Sequence, residues 1–331
     1  MVTKVFQLLL LLSPVCIGTN INPDMLDIIL FRTGVMVLFL ASLIDKPRRE
    51  IPRNIKYCLA SLLGLCFINI FVNTFDPIVL HTALNIFLAV IGFSIIYSYY
   101  DEKKSMTKYI LIAALLNLLF YISQQFGFDP IFNMRPYAGC EGSFLGNSPR
   151  MMTYFALITP FLWLPLLILS VALGIYTNQF IIFAPVFVVL FMRIKKQYRK
   201  WIVALAVICI AFSYHHIIQS LSYRFNTAWK PVLIEFFKQP LIGLGLGKQP
   251  LGLEVIGSSY LQFIIGVGIL GAVWFGYVFK NIYKELSFNA ESMAIVSLGM
   301  ICFVEYPCEI MRLWFTIIAI ISTWLIKVKA T

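Results

Sequence analysis

The sequence predicts an all-α, polytopic transmembrane helical bundle, and three observations predict it. Of 331 residues, 60% are apolar and only 12% are charged, where a soluble globular chain has about 25% charged residues. The apolar residues come in long runs, such as Ile78–Tyr100 and Trp201–Tyr214. Short basic clusters separate those runs and alternate with loops poor in charge. The mean hydropathy of +0.87 excludes a disordered chain, a disulfide-stapled secreted module and an ordinary soluble enzyme. An outer-membrane barrel would need alternating strands of about ten residues, and none is visible.

Taken in order, Met1–Gly18 reads as an uncleaved first helix, because Val15-Cys16-Ile17-Gly18 is a poor cleavage site. Further spans are expected over Met25–Ile44, Tyr57–Asn73, Ile78–Tyr99 and Tyr109–Phe126. Apolar sequence resumes at Met151 and runs to Met192. Trp201–Ile217, Ser259–Phe279, Met293–Tyr306 and Ile310–Ile326 complete the set.

Lys/Arg placement gives orientation. The clusters around Lys4, Lys46–Lys56, Lys103–Lys108, Arg193–Lys200, Lys280–Lys284 and Lys327–Lys329 hold most of the 26 basic residues. The positive-inside rule makes these loops cytoplasmic. The run 151–192 must then cross an odd number of times. Three short crossings are expected, split near Trp163-Leu-Pro165 and Tyr176-Thr-Asn-Gln179; one crossing plus a re-entrant piece is the rival. The total is about 12 spans, with both termini cytoplasmic and the whole chain, 1–331, one integral membrane domain.

The net charge of +11 is therefore mostly an orientation signal, and nucleic acid is not an expected partner. Seven cysteines form no C-x-x-C pair, and no metal ligand set or cofactor motif is visible. His215 and His216 are adjacent, so they point to different helix faces and do not resemble paired metal ligands.

Two outer-face segments carry polar residues. Gly127–Arg150 ends in Gly139-Cys-Glu-Gly142-Ser-Phe-Leu-Gly146-Asn147-Ser148-Pro149-Arg150. Asn147 or Ser148 suits an N-cap and Pro149 the first helical position. Such a start is either an anion site completed by Arg150 or a capped helix with a snorkelling arginine. Ile218–Ser258 is a large periplasmic loop. Phe225, Trp229, Val232, Leu233 and Phe236 recur there at helical spacing, which predicts an amphipathic helix on the membrane surface. Pro240 ends it, and Gly243, Gly245 and Gly247 follow as a flexible turn. This is either a lid presenting Arg224, Lys230 and Lys248 to an anionic lipid-linked substrate or an interfacial anchor. Arg32 and Arg312 lie inside spans toward their outer ends, where such residues pair, snorkel or bind something.

In order, these segments resemble the O-antigen ligase and O-antigen polymerase superfamily. Gly142-Ser-Phe-Leu-Gly146-Asn147-Ser-Pro is similar to its G-F-x-N-P-N start of a span. Ser222-Tyr-Arg224, Trp229 and Pro240-Leu-Ile-Gly243-Leu-Gly245-Leu-Gly247 resemble its S-x-R, W and P-x-x-G-x-G-x-G loop. Ser259-Tyr260-Leu261 followed by Gly268-Ile-Leu-Gly271 resembles its x-Y-L and G-x-L-G continuation. The likeness covers roughly Gly139–Phe279.

The resemblance implies a GT-C type glycosyltransferase in the bacterial inner membrane. Its substrate would be a glycan on undecaprenyl pyrophosphate, passed to an acceptor glycan without a cofactor or metal. A chain-length regulator and a flippase are implied partners, beside the lipid bilayer. Arg224 is the implied pyrophosphate ligand; by position and charge, Arg150, Asn147, Lys230, Lys248, Arg32 and Arg312 are candidate substrate-binding residues beside it, and Trp229 and Tyr260 are expected against sugar or lipid. One departure stands out: Gly257-Ser258 occupies the position of the ligases' H-N pair. That favours a repeat-unit polymerase over a ligase. His215, His216 or Glu254 would have to supply any catalytic base. The alternative from another class is a non-enzymatic transporter or flippase of lipid-linked oligosaccharide.

Overall fold

A computed structural model describes residues 1–15, 23–126, 143–145, 148–177, 179–248, 258–286, 289–304 and 311–330. Among them there are helices and turns but no strand. Four helices are long and apolar enough to cross a membrane: Asp27–Ile44, Arg53–Val72, Pro77–Tyr99 and Thr107–Gln125. They belong to α2 (Pro23–Ile44), α3 (Arg53–Val72), α4 (Pro77–Tyr99) and α5 (Thr107–Gln125). In α3 only 11% of the apolar window is buried. Phe67 and Phe71 face outward. Exposing that much apolar surface to water would cost about 25 cal/mol per Å², so hydrocarbon is the medium that suits it.

The first helix, α1 (Val2–Leu12), is too short to cross alone, at about 16 Å. It buries Val2, Phe6 and Leu10 among α2, α4 and α5. Phe6 meets Tyr100 edge-on, with centroids 5.8 Å apart. The hub of this half is α4, which packs against α1, α2, α3 and α14 (Trp314–Ala330). Its core holds Phe31, Ile96, Tyr100 and Phe315.

The second half is built on α6 (Ser148–Ile158), α7 (Leu164–Tyr176) and α8 (Phe183–Arg193). The breaks fall where sequence predicts them, before Pro165 and at Tyr176-Thr177. The three legs run antiparallel. The Arg193 guanidinium, ending α8, donates to the Leu162 and Pro160 carbonyls at 3.1 and 2.6 Å. Tyr176, ending α7, donates to Gln125 Oε1 at the end of α5, 3.0 Å away. Each leg is only 11–13 residues, or roughly 16–20 Å. Met151–Ile158 is buried throughout, so α6 is a core element. It packs on α8 and on α13 (Ala290–Val304), the hub of this half.

Two expected elements differ. α9 (Arg199–Arg224) does not stop at Ile217. It passes through a π-helical stretch, Phe225–Trp229, into α10 (Lys230–Lys238). The first half of the expected outer loop thus continues a long helix, with Pro231 as the cause of the irregularity. Proline has no N–H to donate and its ring clashes with the carbonyl four residues back. A π turn absorbs the misfit, and Lys230 N–H bonds instead to Phe225 O. The expected Ser259–Phe279 span is broken into α11 (Ser259–Val267) and α12 (Ile269–Glu285). Gly268, at φ +80°, forms the break. A Cβ there would lie 2.4 Å from Leu241 O.

The basic clusters gather at one end of the bundle. Arg48 pairs with Asp101 at 3.6 Å and Arg49 with Glu102 at 3.7 Å. At the opposite end lie the α3–α4 turn, the start of α6, α10 and the α11–α12 turn at Gly268; α11 and α12 lie antiparallel, with Phe263 on Phe275 and Tyr260 on Phe279. The three-leg path makes a direct prediction. In a chain with its native cysteines replaced, an impermeant maleimide should label cysteine at Tyr176 from the same side as cysteine at Thr74. Cysteine at Lys196 should label from the other side. Labelling of Tyr176 and Lys196 positions from one side would exclude this path.

Candidate functional site

At the non-basic end, the segment Pro240–Lys248 is the main irregular stretch among the described residues, and it is packed rather than flexible. Leu244 N–H donates to Ile265 O at 2.8 Å, Gly245 N–H to Gly266 O at 3.0 Å, and Ile269 N–H to Pro240 O at 2.8 Å. The segment is laid against the α11–α12 break on one side and the α3–α4 hairpin on the other. Gly247, at φ +76°, shows how closely: a Cβ there would sit 2.1 Å from Thr82 Oγ1. No side chain fits, and the backbone conformation itself favours glycine.

Asn69, buried on α3, holds this arrangement. Its amide donates to Gly266 O at 2.8 Å and Ile242 O at 3.3 Å, and its oxygen accepts from Leu246 N–H at 2.7 Å. Three backbone groups that have no helical partner are thereby satisfied. Sequence reasoning passed over Asn69, as it did Asn73, Asp76 and Asn85. An asparagine in an apolar span is the signal that would have found Asn69 and Asn85, since its donors and acceptor must go somewhere.

Lys248 closes the segment. Its ammonium lies 2.9 Å from Asp76 Oδ2 and 3.5 Å from Asn73 Oδ1. Asp76 also caps α4, accepting from Ile78 N–H at 2.9 Å. The Lys248 hydrogen bond, with help from that N–H, holds the Asp76 carboxyl below its ordinary value. Lys248 is therefore tied to the scaffold rather than facing outward.

The α2 helix contributes two charged residues about 140° apart around its axis. Asp27 is buried and meets Arg150 of α6 at 3.9 Å. Arg32 faces α4 instead. Its Nε donates to Asn85 Oδ1 at 3.0 Å, and its Nη2 lies 3.1 Å from His81 Nδ1. The first two turns of α4 thus carry Arg32 on one face, the glycine segment on another and Lys248 at the cap.

A second contact gathers the outer-face segments. Val232 and Ile265 are buried together, with Trp229, Phe236, Leu244 and Leu261 packed around them. Arg224 and Trp229 are half-buried and Lys230 is exposed. Tyr260 turns into the bundle, edge-on to Phe275 and Phe279 at 5.1 and 5.4 Å. The expected residues are therefore dispersed over one end, and only some share contacts. His215 and His216 lie on α9 and Arg312 in the Met311–Leu313 turn, with side chains outside the described set. Asn147 and Glu254 lie outside the described residues altogether. Among the described residues, no group of three or more His, Cys, Asp or Glu side chains could hold a metal ion.

A scan of family models and searches of curated proteins and of solved structures return no match.

Two outcomes follow from this packing. Asn69→Ala leaves the Ile242 carbonyl and the Leu246 N–H without a partner, Gly266 O keeping its bond from Gly245 N–H, and should destabilise the protein by about 2 kcal/mol or more. Thermal unfolding in detergent, followed by reaction of the buried Cys66 thiol, measures it. The second concerns pH. Asp76 titrates lower in the folded chain than the ordinary 3.8, so its ion pair contributes above that value and is lost as pH falls through the lowered one. Protection of the 240–248 segment from proteolysis should hold from pH 5 to 8, weaken below about 4, and be equally weak at all pH values in Asp76→Ala.

Proposed function

We propose that this chain is a polysaccharide repeat-unit polymerase of O-antigen or capsule type. It transfers a glycan from undecaprenyl pyrophosphate to an acceptor sugar at the outer face of a bacterial inner membrane. One observation carries the reading. Three motifs that resemble the superfamily in order also meet in space: Trp229 and Val232 from the S-x-R and W segment, Leu244 from the glycine segment, and Leu261 and Ile265 from α11.

In this reading the basic end is cytoplasmic, as the positive-inside rule requires. Counting α12 as a pass and α11 as a short helix folded back beside it, the helices make about twelve passes in this reading, with both termini on the cytoplasmic side. The polar end then faces the periplasm, where lipid-linked glycans are joined. Arg224 holds the pyrophosphate leaving group, because a guanidinium offers paired donors to phosphate oxygens. Charge that develops on the departing diphosphate is stabilised there. Arg150 and the Ser148-Pro149 start of α6 assist, and Trp229 and the exposed Lys230 border the glycan path. Gly257-Ser258 in place of the ligases' H-N pair favours polymerisation over transfer to a lipid core.

The test is genetic and then residue-specific. Loss of the gene should abolish long polymer and leave single-repeat glycans, and Arg224→Ala at normal expression should do the same. Full-length polymer in the deletion strain would falsify the reading. Polymer accumulating on undecaprenyl pyrophosphate would point to a ligase instead. Untransported repeat units at the cytoplasmic face would point to a flippase.

A further inference from the structure

The described cations at the polar end differ in what neutralises them. Arg150 is matched by Asp27 at 3.9 Å and Lys248 by Asp76 at 2.9 Å. Arg32 has neutral partners only among the described residues: the Asn85 amide and the His81 ring. Arg32 is half-buried inside α2, nine residues from the start of that helix at Pro23, about two and a half turns. Such a charge costs about 2.5–3.5 kcal/mol at a helix centre and normally finds a counter-charge.

The geometry points to an anion as that counter-charge. We propose that Arg32, with His81, forms a binding site for the phosphate group of a lipid. A guanidinium carries five N–H donors. One is spent on Asn85 and one on His81, which leaves three. These two bonds fix the guanidinium plane, so the donors are held in place before a ligand arrives. His81 Nδ1 can accept from a cation only if it is unprotonated. The ring proton then sits on Nε2, which becomes a further donor. Neither partner brings a negative charge to compete with the ligand. Asp27, on the same helix, points about 140° away and is engaged by Arg150.

The level in the membrane suits a lipid. Arg32 lies nine residues inside α2 (Pro23–Ile44), but its guanidinium meets His81 only about one turn inside α4 (Pro77–Tyr99). The long side chain thus reaches toward the polar end and the phosphates at the membrane boundary, and His81 is exposed beside it. The phosphate chemistry is shared by polyprenyl diphosphates and anionic phospholipids. The choice of a diphosphate rests on the polymerase reading; the anion site itself does not.

The experiment uses the full chain in lipid-free detergent micelles. Unfolding temperature is followed on titration with geranylgeranyl diphosphate, with geranylgeraniol and with phosphatidylglycerol. At least one lipid anion should stabilise the wild type, and the alcohol should not. Arg32→Gln should weaken the apparent affinity about tenfold or more, and Arg32→Lys and His81→Phe by less. Unliganded melting curves identify any variant that fails to fold; if Arg32→Gln fails, the other two carry the comparison. An undiminished shift in the folded variants, or no shift of the wild type by either anion, overturns the site. Stabilisation by the diphosphate alone marks a substrate-type lipid. An equal response to phosphatidylglycerol keeps the anion site but removes its link to the transferase. Polymer synthesis in cells is scored separately, so the two readings fail independently.

Discussion

The polar end depends on one constraint: in an apolar surrounding, every backbone N–H and C=O must find a partner within the protein. Helices meet it automatically along their length. The Pro240–Lys248 segment and the α11–α12 break cannot, and they leave Ile242, Leu246 and Gly266 groups without helical partners. Asn69 answers three of them with a single side chain. A hydrophobic residue at that position would pack equally well and leave the segment unsupported. The close fit of Gly247 on Thr82 and of Gly268 on Leu241 then follows, because the segment has been drawn onto the α3–α4 hairpin. Position of the cap residue Asp76, and through it of Lys248, is a consequence of the same docking.

Charge is arranged by the same economy. Pairing Arg150 with Asp27 contributes little net stability, since desolvation of both groups offsets most of the attraction. It does specify how α2 meets α6, because removing either partner leaves a buried charge. The Arg32 contacts act differently. Neutral hydrogen bonds orient the guanidinium without cancelling it, so that part of the bundle retains a positive potential. Arg150 stands two residues into α6 and Arg32 nine residues into α2, and hydropathy says nothing of what each one meets. What separates them is the identity of a partner supplied by another helix.

That contrast marks how much was legible in advance. The helical class, most helix positions and the breaks before Pro165 and at Tyr176-Thr177 could be read directly, because apolar runs and proline act locally. The α11–α12 break could not. Gly266-Val-Gly268 reads as a helix-packing pattern, and only the docked Pro240 segment forces Gly268 to positive φ. Nor could the continuation of α9 beyond Ile217, since polar residues such as Gln219, Ser220 and Ser222 resemble the end of a span. For the site, residue types were legible and partners were not. The ion pair of Lys248 with Asp76, the packing of Tyr260 on Phe275 and Phe279, and the docking of Gly243–Gly247 are all set by elements far away in sequence.

The π-helical stretch gives the spacing between Arg224 and Trp229 a physical meaning. In a regular α-helix, residues five apart lie about 140° from each other around the axis. A π turn bonds each residue to the one five positions on, so residues five apart return to nearly the same side. Phe225–Trp229 has this geometry, and burial follows it: Arg224 and Trp229 are half-buried, Ala228 is buried, and Tyr223, Phe225 and Asn226 are exposed. Trp229 packs toward α11 and Leu244, which carries Arg224 toward the same side of the helix. Pro231 thus does more than interrupt a hydrogen-bond ladder. By making the π turn favourable, it converts a five-residue spacing into a shared helix face for Arg224 and Trp229.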